Sequence, residues 1–284
     1  MKINKDYLIT SGCSFTEGHK IQPISWATKL SEKLKSELIN LGKGGRSNDS
    51  IIPNTILYAM KYPEIAKNSF FVIQLTECLR YNVSLDLDLD SKGVPMVFTP
   101  NQFMFDVYGD RKFDNWDMKD RINKWVFDNR YALAPIFVNI TERLYNTHKH
   151  IINFINFCEG KGYPFLIFDG INQHIPIKID GKWYLEGSNP NHEKFEVMVN
   201  ENEPGAADTH FYSKYDSTSG ILKSEIDYLK NHKYYYNDEV LYRKINNQLS
   251  GVGDKYTKGN DGHPNEEGSE MWSKHLIEVI NGLE

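Results

Sequence analysis

The stretch "SFFVIQL" at 69–75 constrains the fold more than any other part of the chain. An apolar run of this length, closed by turn residues, is typical of a strand that is covered on both faces in a parallel sheet. Shorter apolar runs recur on either side of it, and segments with helical periodicity separate them. The predicted strands are 7–10, 38–41, 69–75 and 163–170, and the predicted helices are 26–38, 48–60, 140–162 and a C-terminal helix. This alternation predicts an α/β fold with three α/β/α layers and a doubly wound, mainly parallel sheet.

Two long segments, about 81–139 and 173–258, interrupt the alternation. Because no repeat and no Ser/Gly-rich linker separates them from the rest, we expect one domain over 1–284 that carries two insertions. In the first, "SLDLDLDSKG" fits an edge strand or a solvated loop, and we favour the loop. In the second, "IDGKWYLEG" predicts a hairpin with Asp180 and Gly181 at its turn. The tyrosine-rich segment 232–244 predicts a helix that packs its rings on the core.

Composition narrows the classes of partner and cofactor. The formal net charge of -5 includes no basic block, which disfavours nucleic-acid binding. Since the three cysteines lack metal-ligand spacing and are odd in number, we expect small core residues and not a metal site or a disulfide framework. No apolar run approaches the roughly 20 residues of a membrane span, and no signal-peptide pattern opens the chain, so we expect a soluble protein that is cytoplasmic or virion-associated.

Polar residues follow the first three predicted strands. Ser14 lies in "GCSFT" after the first, glycines lie in "GKGGRSN" after the second, and Thr76 follows the third. Ligands bind beyond the carboxyl ends of such strands, so we expect these turns to form one site. "GKGGRSN" also has the composition of a phosphate-binding nest, but it lacks the spacing of a P-loop.

A serine hydroxyl needs a base before it can act as a nucleophile. His263 in "DGHPNEEG" is the candidate base, and Asp261 is the candidate carboxylate that orients it. The backbone N–H groups of Ser14 and of a glycine in the second turn are candidate oxyanion donors. We expect the other histidines to fall on loops or helix surfaces: 19, 148, 150, 174, 192, 210, 232 and 275.

The segments "GCSFT", "GKGGRSN" and "DGHPNEEG", in this order, resemble the first, second and final sequence blocks of the SGNH (GDSL-like) hydrolase family. The resemblance implies a flavodoxin-like sheet, Ser14 as nucleophile, Gly45 as the oxyanion glycine and His263 as base, with no cofactor. Two departures stand out. The third block, "VIQLTECLR", lacks the family's asparagine, which leaves Thr76 and Arg80 as substitutes near the developing charge, with Glu77 opposing Arg80.

The second departure is the position of the acid. The family's aspartate lies three residues before the histidine, where this chain has Asn260. Asp261 lies one residue closer to His263, and Asp254 is a more distant substitute.

The resemblance implies a serine esterase acting on an acyl ester, with an O-acetyl group on a carbohydrate or glycan as the expected substrate. Asn48 and Arg80 are candidate substrate contacts. Two alternatives stay open: a weakly active or inactive glycan-binding or structural protein, such as a phage accessory protein, and an acyl transferase that uses the same serine. The oligomeric state is left open by the sequence.

Overall fold

The computed structural model describes residues 5–18, 24–77, 80–85, 94–98, 106–107, 140–186, 194–201, 221–241 and 263–283. The strands in these ranges are β1 Tyr7–Ser11, β2 Glu37–Asn40, β3 Ser69–Leu75, β4 Tyr81–Leu85, β5 Val94–Phe98, β6 Asp106–Val107, β7 Phe165–Asp169, β8 Ile177–Ile179, β9 Lys182–Glu186, β10 Lys194–Val197, β11 Val199–Asn200, β12 Ile221–Leu222 and β13 Tyr235–Tyr236. The helices are α1 Ser14–Glu17, α2 Trp26–Leu34, α3 Asn48–Lys61, α4 Pro63–Lys67, α5 Ile140–Lys161, α6 Lys223–Lys230 and α7 Glu266–Gly282.

The central sheet has five strands in the order β13-β7-β3-β1-β2. Each neighbouring pair is parallel. The four strands predicted from the sequence all lie in this sheet, which confirms the predicted α/β class. Because all five strands run the same way, the turns after β1, β2, β3 and β7 meet at one edge, which we call the carboxyl rim.

Alternate residues of β3 face the two helical layers. Phe71 and Ile73 pack in a core cluster with residues of α3, α5 and α6. Phe70 and Val72 pack in a second cluster with residues of α2 and α7. Every residue of β3 is buried, as expected for a strand covered on both faces. The three-layer arrangement predicted from the apolar runs is therefore confirmed.

The second insertion contributes more regular structure than the sequence predicted. The hairpin is confirmed, with Asp180 at φ 49° and Gly181 at φ 82° between β8 and β9. The helix predicted over 232–244 is wrong in its described part, because Tyr235 and Tyr236 form β13 beside β7. In this position Tyr235 packs in the first core cluster and Tyr236 packs against the second.

The first insertion also forms strands. β4 pairs antiparallel with β5, and β5 with β6. The loop favoured for "SLDLDLDSKG" is therefore wrong for its first two residues, which belong to β4, and residues 86–93 lie outside the described ranges. Cys13 and Cys158 are buried and free, as predicted, and Cys78 lies outside the described residues.

Candidate active site

Ser14 begins the short helix α1 directly after β1. The turn between them is tight because Gly12 lies under the side chain of Thr16, where a Cβ atom would overlap Thr16 Oγ1. Thr16 Oγ1 donates a hydrogen bond to Gln74 Oε1 of β3 over 2.5 Å. Gln74 Nε2 in turn donates to Cys13 Sγ at 3.2 Å. The turn that carries Ser14 is thus held against the neighbouring strand by buried polar contacts.

His263 lies two residues before the N-cap of α7. The Asn265 side chain accepts a hydrogen bond from Gly268 N at 2.9 Å, which caps the helix as its sequence predicts. Helix α7 packs on α2, and an ion pair between Lys33 and Glu270 at 2.7 Å joins the two helices. This docking brings the end of the chain to the turn after β1.

The hydroxyl of Ser14 and the imidazole of His263 meet at the carboxyl rim. Ser14 Oγ lies 2.7 Å from His263 Nε2, although the two residues are 249 positions apart in the chain. The ring of Phe15 contacts the imidazole edge-on, with a centroid distance of 4.9 Å. Both Ser14 and His263 are partly exposed. A neutral imidazole with its proton on Nδ1 can accept the serine proton at Nε2 in this geometry.

The predicted acid cannot be placed beside this pair. Asp261 and its alternative Asp254 both lie in 251–262, outside the described residues. The histidine orienter therefore stays a prediction.

The second loop lies against the Ser14 turn. Lys43 N donates to Gly12 O at 3.1 Å, and Gly44 N donates to Glu17 Oε2 at 2.6 Å. Gly45 has φ 71°, in the left-handed region that favours glycine. The Gly44 N–H already donates to the Glu17 carboxylate. The N–H of Gly45, the next residue in the loop, is therefore the better candidate for an oxyanion donor.

Thr76, at the end of β3, is held by Asn48. Thr76 N donates to Asn48 Oδ1 at 2.9 Å, and Asn48 Nδ2 donates to Thr76 O at 3.1 Å. Thr76 Oγ1 is buried and has no hydrogen-bond partner among the described residues. The Asn48 side chain is 1% exposed and its amide is engaged by protein groups. This environment does not fit the substrate contact that the sequence suggested for Asn48, since a buried amide with protein partners cannot reach a ligand.

Arg80 forms an ion pair with Glu77, with Nε 3.1 Å from Oε2. Both side chains keep 18% of their surface exposed. The carboxylate expected to oppose Arg80 at the site instead pairs with it, so Arg80 reaches a substrate only as part of this pair.

A second group of polar residues lies behind Asn48 and is fully buried. Asn48 Nδ2 is 3.2 Å from His174 Nε2, and His174 Nδ1 is 2.7 Å from Asp169 Oδ1. His174 N also donates to Asp169 Oδ2 at 3.1 Å, and the Tyr235 hydroxyl donates to Asp169 Oδ1 at 2.8 Å. The side chains of Asp169 and His174 are both 0% exposed.

Sequence reasoning missed this group. The prediction of surface or loop positions is wrong for His148, which is fully buried in α5 with Nε2 2.7 Å from His174 O. His174 lies on a loop but is equally buried. The available signal was Asp169, a carboxylate that ends the apolar run "FLIF" five residues before a histidine. Within the described residues, no cluster of three His, Cys, Asp or Glu side chains is arranged to hold a metal ion.

No family model matches the chain, and no curated protein matches it. Two solved structures align with nearly the whole chain, at low TM-score and low sequence identity. One is a member of the lipolytic G-D-S-L family from Veillonella parvula, with 12% identity and a TM-score of 0.40, covering 97% of this chain and 98% of that one. The other is a candidate lipolytic protein of the same family from Desulfitobacterium hafniense, with 10% identity and a TM-score of 0.41, covering 96% and 99%. Among the described helices, none has both the length and the apolar composition that a membrane span requires.

Proposed function

We propose that this protein is a serine esterase that hydrolyses an acyl ester. The observation that carries the proposal is the 2.7 Å separation of Ser14 Oγ and His263 Nε2 at the carboxyl rim. A hydroxyl at this distance from a basic nitrogen is activated for attack on a carbonyl carbon. Both groups are partly exposed, so an ester can reach them.

The reaction proceeds in two half-steps. Ser14 Oγ bonds to the ester carbonyl carbon while His263 Nε2 takes the serine proton. The tetrahedral intermediate then collapses, and His263 returns the proton to the departing alkoxide, leaving an acyl-serine. Water, deprotonated by His263, attacks the acyl carbon of the acyl-serine. The second tetrahedral intermediate then collapses, His263 returns the proton to Ser14 Oγ as its bond to the acyl carbon breaks, and the carboxylic acid is released. The N–H groups of Ser14 and Gly45 donate to the oxyanion in both half-steps, whereas the Thr76 hydroxyl suggested by the sequence is too deeply buried to reach it.

The proposal also assigns the carboxylate that orients His263 and the class of substrate. Asp261 accepts the Nδ1 proton of His263 and keeps the imidazole in the productive tautomer. The substrate is an O-acetyl group on a carbohydrate. Aromatic residues are frequent in both insertions, and such rings stack on sugars, which supports this choice. Arg80, with Glu77, contacts the polar part of the substrate.

The test is hydrolysis of p-nitrophenyl acetate by the full chain and by Ser14→Ala and His263→Gln. We expect each variant to lose at least about 1,000-fold in kcat, because nucleophile and base act as one unit. Ser36→Ala is the matched control: Ser36 Oγ donates to Lys5 O at the opposite edge of the sheet, so its loss leaves kcat unchanged. A fluorophosphonate probe should label Ser14, as mapped by peptide mass spectrometry. Turnover that survives in Ser14→Ala would reject the proposal.

A second candidate is a glycan-binding protein that keeps the fold with a weakened site. The observation that favours it is Thr76, which stands where the SGNH third block has an asparagine donor. A chain that binds acetylated glycan, does not release acetate from it, and does not react with the fluorophosphonate probe would support this candidate over the esterase.

A further inference from the structure

Glu17 joins the second loop to the turn that carries Ser14. Its carboxylate oxygen Oε2 accepts a hydrogen bond from Gly44 N at 2.6 Å. Ser14 is the first residue of α1 and Glu17 is the last, so both side chains leave the same single helical turn. Residues three apart are neighbours on a helix surface, with about 5–6 Å between their Cβ atoms. The group that holds Gly44 therefore comes from the same helical turn as the proposed nucleophile.

Residues 43–46 form a tight turn in this loop. Arg46 N donates a hydrogen bond to Lys43 O at 3.3 Å. Gly45 has φ 71°, whereas the φ of Gly44 is not positive. A positive φ at the third position alone is the pattern of a type II turn. The hydrogen bond of such a turn uses the N–H of its fourth residue, Arg46, and so does not engage the N–H of Gly45.

The start of the loop is fixed by other contacts. Asn40 Nδ2 donates to Thr16 O at 2.8 Å, and Gly42 N donates to Asn40 Oδ1 at 2.8 Å. A Cβ atom on Gly42 would stand 2.7 Å from Glu17 N, so the loop and α1 touch through their backbones. Residues 44 and 45 are both glycine, the residue with the greatest backbone freedom. The tip of the loop therefore depends on the contact with Glu17 to keep one orientation.

The contact lies where a ligand can reach it. Ser14, Gly44 and Gly45 are each partly exposed, so a substrate oxygen can approach the tip of the loop. Burial lowers the pKa of the Arg46 guanidinium, and the nearby Glu17 carboxylate partly offsets that shift. The two charges therefore compensate each other, which reduces the repulsion between the Glu17 carboxylate and a negative oxygen at the loop.

From these contacts we infer that Glu17 is a positioning residue, which holds the turn 43–46 so that the Gly45 N–H donates to the oxyanion. The inference rests on the proposed esterase function. Glu17 acts as a hydrogen-bond acceptor of the right reach and takes no part in proton transfer. Loss of its contact with Gly44 misplaces the Gly45 N–H, which slows formation of the tetrahedral intermediate and changes substrate binding little.

The first test separates reach, charge and hydrogen bonding at position 17. Glu17→Gln keeps an oxygen acceptor at the same reach without the charge, Glu17→Asp keeps the charge one methylene shorter, and Glu17→Ala removes both. We expect Glu17→Ala and Glu17→Asp to lose at least about tenfold in kcat on p-nitrophenyl acetate with KM little changed, because misplacing a group that contacts the reacting atoms slows the chemical step. Glu17→Gln should stay within about fivefold of the unmodified chain, since a neutral acceptor makes a weaker hydrogen bond than a carboxylate. Both half-steps form an oxyanion, so the loss appears whichever is rate-limiting.

The second test determines whether Glu17 acts through Gly44. Gly44→Pro removes the N–H that Glu17 binds, and proline suits the second position of a type II turn. Once that N–H is absent, Glu17→Ala should change kcat by less than about twofold in the Gly44→Pro chain. The matched control is Glu37→Ala: Glu37 is exposed at the start of β2, at the opposite end of that strand from the carboxyl rim, so its kcat should not change.

The outcomes distinguish this inference from the proposed function. Ser14-dependent turnover in the full chain together with unchanged kcat in Glu17→Ala overturns the inference and leaves the proposed function standing. Full activity in Glu17→Asp, or a Glu17→Gln chain as slow as Glu17→Ala, assigns the residue a role for its charge and also overturns the inference. A tenfold loss from Glu17→Ala that persists in the Gly44→Pro chain does the same. Absence of Ser14-dependent turnover in the full chain overturns both proposals. Thermal unfolding identifies variants that fail to fold, and if Gly44→Pro is one of them, the variants of the exposed Glu17 side chain decide alone.

Discussion

A Cβ atom at position 12 would disturb the turn that presents Ser14. In Gly12→Ala the added methyl would overlap Thr16 Oγ1 and stand 3.0 Å from the Cβ atoms of Thr16 and Gln74. Thr16 cannot simply rotate away, because its hydroxyl is hydrogen-bonded to Gln74 Oε1 in the core. The strain must therefore move the backbone or break that hydrogen bond.

The expected energies follow from these contacts. Overpacking a core position by one methyl group destabilises a protein by about 1–3 kcal/mol, so we expect about 2.5 kcal/mol for Gly12→Ala. Thr16→Ala removes a buried hydrogen bond and leaves Gln74 Oε1 without its donor, for about 2 kcal/mol. In Gly12→Ala/Thr16→Ala the overlap with Oγ1 no longer exists. We therefore expect the pair to lose about 3 kcal/mol, roughly 1.5 less than the sum of the single variants.

The assay is urea unfolding of the four chains at one pH, with the unfolding free energy taken by linear extrapolation. Gly160→Ala is the matched control, because a Cβ on Gly160 in α5 meets no atom within 4 Å. That control should be neutral or stabilising by up to about 1 kcal/mol. Additive losses in the double variant, or a Gly12→Ala chain as stable as Gly160→Ala, would refute the proposed packing of the turn.

Three further expectations concern stability. Burial lowers the pKa of His148 to about 4, so the unfolded chain binds a proton near pH 5 that the fold does not. The contribution of His148 to the unfolding free energy should therefore fall by about 2 kcal/mol from pH 7 to pH 5, measured in urea titrations as the difference between the unmodified chain and His148→Asn. Burial raises the pKa of Glu225 to about 7, so its carboxyl holds a proton in the fold. The contribution of Glu225 to stability, which opposes that of His148, should then fall by about 1 kcal/mol as pH rises from 5 to 8, after discounting for partial solvent contact, and is measured as the difference between the unmodified chain and Glu225→Gln. Asn265→Ala removes the cap on Gly268 N and should lower the unfolding free energy by about 1 kcal/mol, whereas Asn265→Ser should retain most of it.

Most of the central sheet could be predicted because its inner strands are recognisable from their own apolar sequences. Runs such as 69–75 are buried on both faces, so hydrophobicity alone marks them. β13 could not be predicted in this way. It has two residues, lies at the sheet edge within a tyrosine-rich segment, and is specified by pairing with Ile167 and Phe168 of β7. A strand this short depends on its partner more than on its own sequence.

The candidate site was predictable only in part, for a similar reason. Ser14 and His263 each lie in a turn next to a regular element, and order along the chain suggested that they meet. The burial of Asn48, for which the sequence suggested a substrate contact, could not be predicted, because its environment depends on Thr76, 28 positions away, and on His174, 126 positions away. Whether an amide is buried among partners or faces a ligand is a property of the packed rim and is not encoded locally.

Two histidines at this rim differ in their partners and in their exposure: His263 Nε2 lies beside the Ser14 hydroxyl, whereas the His174 ring lies between Asn48 and Asp169. His263 beside Ser14 is partly exposed, whereas His174 beside Asp169 is completely buried. A general base must exchange its proton with substrate and water in each turnover, which a sealed imidazole cannot do. The buried imidazole can instead keep one tautomer throughout the reaction, as a fixed hydrogen-bond geometry requires. For the proposed esterase, exposure therefore favours His263 over His174 as the general base.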